Sequence, residues 1–164
     1  MAHEHSGTAK DADYQAAITD LLGVLAYGEL TAFTRMAADS DLAPTLRLKA
    51  DLAGLAAVEY RQFTHLIDRM REMGLEPEAA MQPFVATFEA FHERTAPRTW
   101  LESLLKAYVG DGIAKDFYRE MAALVDPGTE SLMNQALEAA GASVSTAART
   151  RAGTRKDPPE AGRL

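Results

Sequence analysis

The sequence predicts an all-α protein, a bundle of four helices with a long connection between the second and the third. Apolar residues recur every three or four positions through the long stretches, which is the period of a helix and not of a strand. Prolines and glycines divide this pattern into four parts, and prolines recur through residues 75–97. These two observations give the number of helices and the position of the long connection.

Helices A and B form the first predicted pair. Helix A is expected over residues 13–38, after a polar, disordered leader at residues 1–11. Helix B is expected over residues 41–73. Pro44 suits its first turn, where the missing N–H costs nothing, and Gly74 suits the position just beyond its last turn.

The segment 75–97 separates helices B and C. Its prolines exclude a single helix across it, but one short helical pattern remains and is predicted to lie across the bundle. Helix C begins after the last of these prolines, with Thr99 and Glu102 as a capping box. Gly110 and Gly112 stand inside the helix and favour close packing or a kink. The helix carries a stripe of apolar residues: Trp100, Leu101, Leu105, Tyr108, Ile113, Phe117, Met121 and Leu124.

Helix D follows a cap at Asp126 and a first-turn proline at Pro127. The bundle is predicted to cover residues 12–145, and a basic, disordered tail to occupy residues 146–164. Short connections make A and B, and C and D, antiparallel neighbours, whereas the long connection makes B and C parallel. This is the ferritin-like arrangement.

Two glutamates interrupt the apolar faces of helices A and B. Glu29 lies in the middle of the stripe on helix A, and Glu59 lies at the centre of the stripe on helix B. A buried carboxylate is costly unless something pairs with it. Two of them at mid-height of facing helices suggest a shared partner, and in a helix bundle the commonest such partner is a metal.

A di-iron carboxylate bundle uses a Glu from each of two helices and Glu-x-x-His from each of the other two. Helices A and B each supply a glutamate, and a Gln follows the second one where the template has His. In helix C we prefer Asp116, which lies nearest the apolar stripe, with Asp111 second and Glu120 third. The predicted metal ligands are Glu29, Glu59, Gln62 and Asp116.

Helix D offers no ligand at its inward positions. The one true Glu-x-x-His pair, Glu89 and His92, lies in the B–C connection. We interpret His92 as a capping or packing residue, with a displaced ligand pair as the alternative. With neither Glu-x-x-His motif in place, iron binding is predicted to be weak or lost.

Composition narrows the remaining classes of function. The absence of cysteine excludes disulfides and thiolate metal sites, so carboxylates and 4 histidines remain as ligands. A net charge of −7 argues against a nucleic-acid binder, although residues 145–164 hold 5 of the 17 basic residues and could touch phosphate. No apolar run approaches the roughly 20 residues of a membrane span, and the N-terminus has no signal-peptide core. A cytoplasmic protein is predicted.

Four segments of the sequence resemble a bacterial ferritin-like family: LLGVLAYGELTAF, LAAVEYRQF, FHERTAP and WLESLLKAYVGDGIAKDFYREMAALVDP. That family is related to the tRNA-(2-methylthio-N6-isopentenyladenosine) hydroxylases, which are di-iron oxygenases. The similarity covers about residues 14–142. It implies a ferritin-like bundle, an O2-using di-iron site by ancestry, and Glu29, Glu59 and Asp116 as ligands.

The chain departs from that family at three places. The family has a histidine where Gln62 stands, a further Asp/Glu-x-x-His near Ala139 and Ala142, and another helix beyond the position where this sequence ends.

Three functions are therefore expected as alternatives. The first is a di-iron, O2-dependent monooxygenase-type oxidoreductase, tRNA hydroxylase-like, with a degenerate metal site. The second is a non-catalytic helical protein that keeps the fold and associates through apolar surface left uncovered on helices C and D, as a dimer or larger homo-oligomer. The third is a small-molecule binder that uses an apolar cavity around the position of the ancestral metal site.

Overall fold

The computed structural model describes residues 4–138 and, from residue 11 onwards, their side chains. The predicted tail over residues 146–164 and positions 139 and 142 lie outside this range. Within it there is no strand. The helices are α1 (Glu4–Asp39), α2 (Leu46–Glu72), α3 (Pro77–Met81), α4 (Val85–Arg94), α5 (Trp100–Ala122) and α6, which covers residues 127–138 at the end of the described range. Single turns of 3-10 helix occupy Ser40–Leu42 and Gln82–Phe84.

The ends of α1 and α2 differ from those predicted. Helix α1 begins at Glu4, so residues 4–11, predicted as part of a disordered leader, continue the helix. Helix α2 begins at Leu46 rather than near residue 41, because the Thr45 hydroxyl accepts a hydrogen bond from the Leu48 N–H at 3.2 Å and caps the helix there. Gly74 ends the helix as predicted, with a φ of 73°.

Helix α5 begins at the predicted capping box. The Thr99 hydroxyl accepts from the Glu102 N–H at 3.3 Å, and the Glu102 carboxylate accepts from the Arg98 N–H at 2.7 Å. The helix then runs through Gly110 and Gly112 without interruption. No heavy atom lies within 4 Å of a Cβ built at either glycine, so neither one permits a close contact within the described part of the chain.

Contacts between α2 and the second half of the chain establish the predicted parallel arrangement. Glu59 lies halfway along α2, and besides burial and Glu29 the charges of Asp111 and Lys115 on α5 shift its pKa, so the two helices are close at this height. At the end of α2, Arg69 Nη2 donates to Asp126 Oδ1 at 2.7 Å, just beyond the end of α5. Moving toward the C-terminus of α2 thus means moving toward the C-terminus of α5. The predicted all-α bundle with a long connection between its second and third long helices is confirmed.

The connection itself follows α1 instead of lying across the bundle. The Cβ that Gly23 lacks would collide with the Ala80 carbonyl, and further along α1 the Tyr27 ring meets the Phe88 ring edge-on at 5.6 Å. Further along α1, in addition to the effect of burial, the charge of Arg35 lowers the pKa of His92, which places these two side chains near each other. Helix α4 therefore runs beside α1 in the same direction. Two α1 glycines, Gly23 and Gly28, leave the space that lets the connection pack along the helix.

One core joins the helices. Its buried residues are Ile18, Leu21, Leu22, Leu25 and Ala26 from α1, Leu66, Ile67 and Met70 from α2, Ala80 from α3, Tyr118 and Ala122 from α5, and Met133 and Ala136 from α6. Helix α1 contributes most because it lies between α2 on one side and the connection on the other. The candidate site continues this core along α1, toward Glu29.

Helix α1 also has the length and composition of a membrane span. The segment Asp11–Leu42 has a window with a mean hydropathy of 1.3, of which 44% is buried inside the protein. It is the one such segment in the described range. The core helix of a soluble protein passes the same test, and α1 carries a large part of this core.

Candidate functional site

Glu29 and Tyr118 form a buried hydrogen bond between α1 and α5. The Tyr118 hydroxyl donates to Glu29 Oε1 at 2.6 Å, and the two residues are only 4% and 8% exposed. Burial and the neighbouring carboxylates raise the pKa of Tyr118 well above its ordinary value. The phenol therefore keeps its proton and stays a donor to Glu29.

Glu59 on α2 lies beside Glu29, as predicted. Burial, a hydrogen bond with Glu29 and the charge of Glu29 together raise the pKa of Glu59 to about 9. Glu59 consequently holds a proton at neutral pH and donates it to Glu29. The Glu29 side chain thus receives hydrogen bonds from two sides, and the pair behaves as one carboxylate and one carboxylic acid.

Helix α5 adds an ion pair to this group. Lys115 Nζ lies 2.6 Å from Asp111 Oδ2, with both side chains mostly shielded from solvent. Their charges act on Glu59 in opposite directions: Asp111 raises its pKa and Lys115 lowers it. We name Glu29, Glu59, Tyr118, Asp111 and Lys115 the carboxyl cluster.

Gln62 is the third predicted ligand that lies near the cluster. It is buried and follows Glu59 by one turn of α2. The amide thus stands on the helix face that carries Glu59.

Asp116 is not brought to the site, contrary to the prediction. Its side chain is 79% exposed and pairs with Arg119 at 2.6 Å. Asp111, Lys115 and Tyr118 are spaced four and three residues apart and share one face of α5, whereas Asp116 lies about 140° around the helix from Asp111. The carboxylate that α5 presents to Glu59 is Asp111, the second choice from the sequence.

This misplacement arises from the apolar stripe that was used to orient the helix. Most of that stripe faces outward, and the buried face of α5 carries Ser103, Tyr118 and Ala122. Sequence reasoning therefore missed Tyr118 and Lys115 as partners of the two glutamates. The spacing of Asp111, Lys115 and Tyr118 on a single helix face was the signal that could have identified them.

The remaining candidates lie elsewhere. Glu120 is exposed on α5, and Glu89 is exposed on α4. His92 has both ring nitrogens buried without a hydrogen-bond partner, beside the rings of Phe88 and Phe91. Burial, followed by the charges of Lys106 and Arg35, lowers the pKa of His92 to about 4. Neutral His92 is a packing residue of α4, as the sequence indicated.

The carboxyl cluster does not fit a pair of iron ions. A di-iron bundle uses four carboxylates and two imidazoles, whereas this cluster offers three carboxyl groups, no histidine and an ammonium group among them. No set of three or more His, Cys, Asp or Glu side chains is arranged to hold a metal in the part of the chain that the structure describes. These groups instead satisfy one another through hydrogen bonds and through ion pairing such as that of Lys115 with Asp111.

Comparison with known protein families identifies a match for this chain. A family model described as a ferritin-like domain of actinomycetes matches residues 12–164, nearly the whole chain. None of the curated proteins is significantly similar to it. The helical bundle with its long connection agrees with the matched family. The chain belongs to the ferritin-like domain family of actinomycetes.

Proposed function

We propose that this protein is a non-catalytic member of the ferritin-like fold, which acts by association and holds no catalytic metal in its interior. The observation that carries the proposal is the Lys115–Asp111 ion pair beside the protonated Glu59. These groups occupy the mid-height of the bundle, where a di-iron protein of this fold places its ligands.

The charges of the cluster compensate one another. The Glu29 carboxylate receives the Tyr118 hydroxyl and the Glu59 proton, and Lys115 pairs with Asp111. Two divalent cations would have to displace the Glu59 proton and would meet the positive charge of Lys115. Metal binding here competes with interactions that the site already makes, which supports an interior held together without metal.

A second candidate function keeps the family chemistry. The adjacent carboxyls of Glu29 and Glu59, with Gln62 one turn further along α2, favour a residual metal site on α1 and α2. This candidate is a di-iron, O2-dependent monooxygenase of the tRNA hydroxylase-like kind. It requires iron ligands on α5 or α6 in addition, and Asp111 is the acidic side chain that α5 offers to Glu59.

Elemental analysis of protein expressed in iron-supplemented medium distinguishes the two candidates. We expect well below one iron per chain, and a melting temperature that chelator leaves unchanged. Gln62→His alone should raise the iron content only modestly, because α5 and α6 still lack an imidazole. Two irons per chain, together with a melting temperature that chelator lowers, would overturn the proposal and favour the oxygenase.

A further inference from the structure

We propose that a second copy of this chain covers the outer face of α5, so that two copies pair through this helix in an isologous contact. This inference rests on the proposed function, since it names the partner with which the bundle associates. The face consists of six large apolar side chains on α5 and a seventh just beyond its end, and we name it the α5 apolar face: Leu101, Leu105, Tyr108, Val109, Ile113, Phe117 and Leu124.

The exposure of this face is unusual for a soluble bundle. Its members are 41–73% exposed. Those from Leu101 to Phe117 recur at intervals of one to four residues along more than four turns of α5, and Leu124 follows just beyond the end of the helix. Isolated apolar side chains on a surface need no explanation, but a contiguous patch of this kind marks a contact surface. The opposite face of α5 already packs on the core through Tyr118 and Ala122.

The area of the face suits a dimer. From the exposed fractions, the seven side chains offer roughly 700 Å² of surface, close to the about 800 Å² per partner that a standard-size interface buries. The charges within it are partly compensated, because Asp116 and Arg119 pair with each other at 2.6 Å. The face can thus be buried without leaving these two charges unpaired.

The rest of the chain is poorly suited to cover the face. In residues 139–164 the large apolar residues are Val144 and Leu164, and in residues 1–10 there is only Met1. Neither segment carries the side chains that would fill a stripe of seven large apolar residues. A second copy brings an identical stripe, which matches in length and chemistry when the two α5 helices cross about a two-fold axis.

The middle of the stripe is built for close approach. Gly112 lies on this face near the middle of α5 and is exposed, and the space where its Cβ atom would stand is empty. Glycine inside a helix costs about 1 kcal/mol relative to alanine. At position 112, beside Ile113, the glycine lets a second helix come near to the α5 backbone, which increases the apolar area that the pair buries.

The oligomeric state of the full chain tests the inference. We expect a dimer by light scattering and sedimentation at micromolar concentration. Ile113→Glu should shift the species to monomer at the same concentration, with an unchanged helical circular-dichroism spectrum. Leu46→Glu is the matched control: Leu46 is 87% exposed at the start of another helix, α2, and its substitution should leave the dimer intact.

A disulfide between two copies tests whether they meet at the α5 apolar face. The chain has no cysteine, so Gly112→Cys introduces a single thiol at the centre of the face. Under oxidising conditions this variant should form a disulfide-linked dimer rapidly. Gly54→Cys, at an exposed helical glycine on α2 with no neighbour within 4 Å, should remain largely uncrosslinked.

Each contrary result has a distinct meaning. A monomer, whether alone or bound to phosphatidylcholine vesicles, would overturn the inference, as would a dimer that Ile113→Glu does not weaken. An iron-free monomer would overturn the proposed dimer but would agree with the proposed metal-free interior. An iron-loaded dimer that Ile113→Glu dissociates would overturn the proposed function and support the α5 contact.

Discussion

At the scale of single residues, the proton on Glu59 determines how much negative charge the bundle interior holds. Glu29 and Glu59 lie side by side in the bundle interior, and two negative charges there would repel each other with little water to screen them. One proton between them removes most of this cost and creates a hydrogen bond. Tyr118 supplies a second donor to Glu29 from α5. The interior thus keeps two acidic side chains with only one negative charge.

We predict that this proton makes stability depend on pH. The pKa of Glu59 is raised from 4.5 to about 9, so the native state binds the proton more tightly than the unfolded chain does. The contribution to stability is therefore full below pH 4.5 and is lost as the pH rises through about 9. The melting temperature should fall from pH 5 to pH 8, and Glu59→Gln should flatten this decline, because an amide donates to Glu29 without ionising.

The control for this prediction is Glu120→Gln, the same substitution at an exposed glutamate on α5. It should leave the pH dependence of the parent unchanged. A Glu59→Gln variant whose melting temperature declines as steeply as that of the parent would contradict the prediction.

At the scale of the elements, close approach of backbones holds the long connection against the bundle. Gly23 lies in the middle of α1, where a glycine destabilises an isolated helix. Its missing side chain lets the Ala80 carbonyl of α3 reach the α1 backbone, with the Phe84 ring beside it. This contact helps to fix the position of α3, and Tyr27 and Gly28 continue the packing of α4 along α1.

We predict that Gly23→Ala destabilises the protein by about 1–3 kcal/mol, because the new methyl group collides with a backbone carbonyl that has little freedom to move. Urea unfolding measures the change. Gly54→Ala is the matched control at an open helical position on α2, and it should stabilise by up to about 1 kcal/mol. A Gly23→Ala variant as stable as the parent would show that α3 shifts without cost.

A second contact between elements fixes the start of α6. Asp126 accepts hydrogen bonds from the N–H groups of Gly128 and Thr129 and from the Thr129 hydroxyl, and Arg69 of α2 donates to it at 2.7 Å. Burial raises the pKa of Asp126, but these hydrogen bonds and the Arg69 charge outweigh it, so the pKa lies below its ordinary value. Asp126 therefore caps α6 as predicted and, through Arg69, also connects the start of α6 to the end of α2.

At the scale of the whole molecule, charge is distributed unevenly along the chain. Residues 1–144 contain 12 basic and 22 acidic residues, whereas residues 145–164 contain 5 basic and 2 acidic ones. An acidic body repels the phosphates of a nucleic acid, and a short basic segment attracts them only when little salt is present.

We predict that the protein does not bind tRNA at about 150 mM salt, and that any binding at low salt depends on the basic residues near the C-terminus. Replacing Arg149, Arg151, Arg155 and Lys156 by alanine should abolish the low-salt binding in a mobility-shift assay. Binding that survives at physiological salt and does not need these four residues would contradict the prediction and favour the tRNA hydroxylase-like function.

Local patterns in the sequence sufficed to predict the helices and to identify Glu29 and Glu59 as carboxylates inside the bundle. The helical period, the proline-rich segment 75–97 and the caps at Thr99 and Asp126 act over a few residues, and the structure has the predicted features at each of these places. Glu29 was recognisable as a carboxylate inside an apolar stripe. Its proximity to Glu59 followed from their mid-height positions on antiparallel neighbours.

Only the tertiary structure decided which face of α5 is buried. By apolar content alone, the stripe from Leu101 to Leu124 should point inward, and Asp116 with it. The core instead takes the face with Asp111, Lys115 and Tyr118, because α1 and α2 present Glu29 and Glu59 there and these need a hydrogen-bond donor and an opposite charge. Periodicity along one helix contains no information about the polar groups that other helices place opposite it.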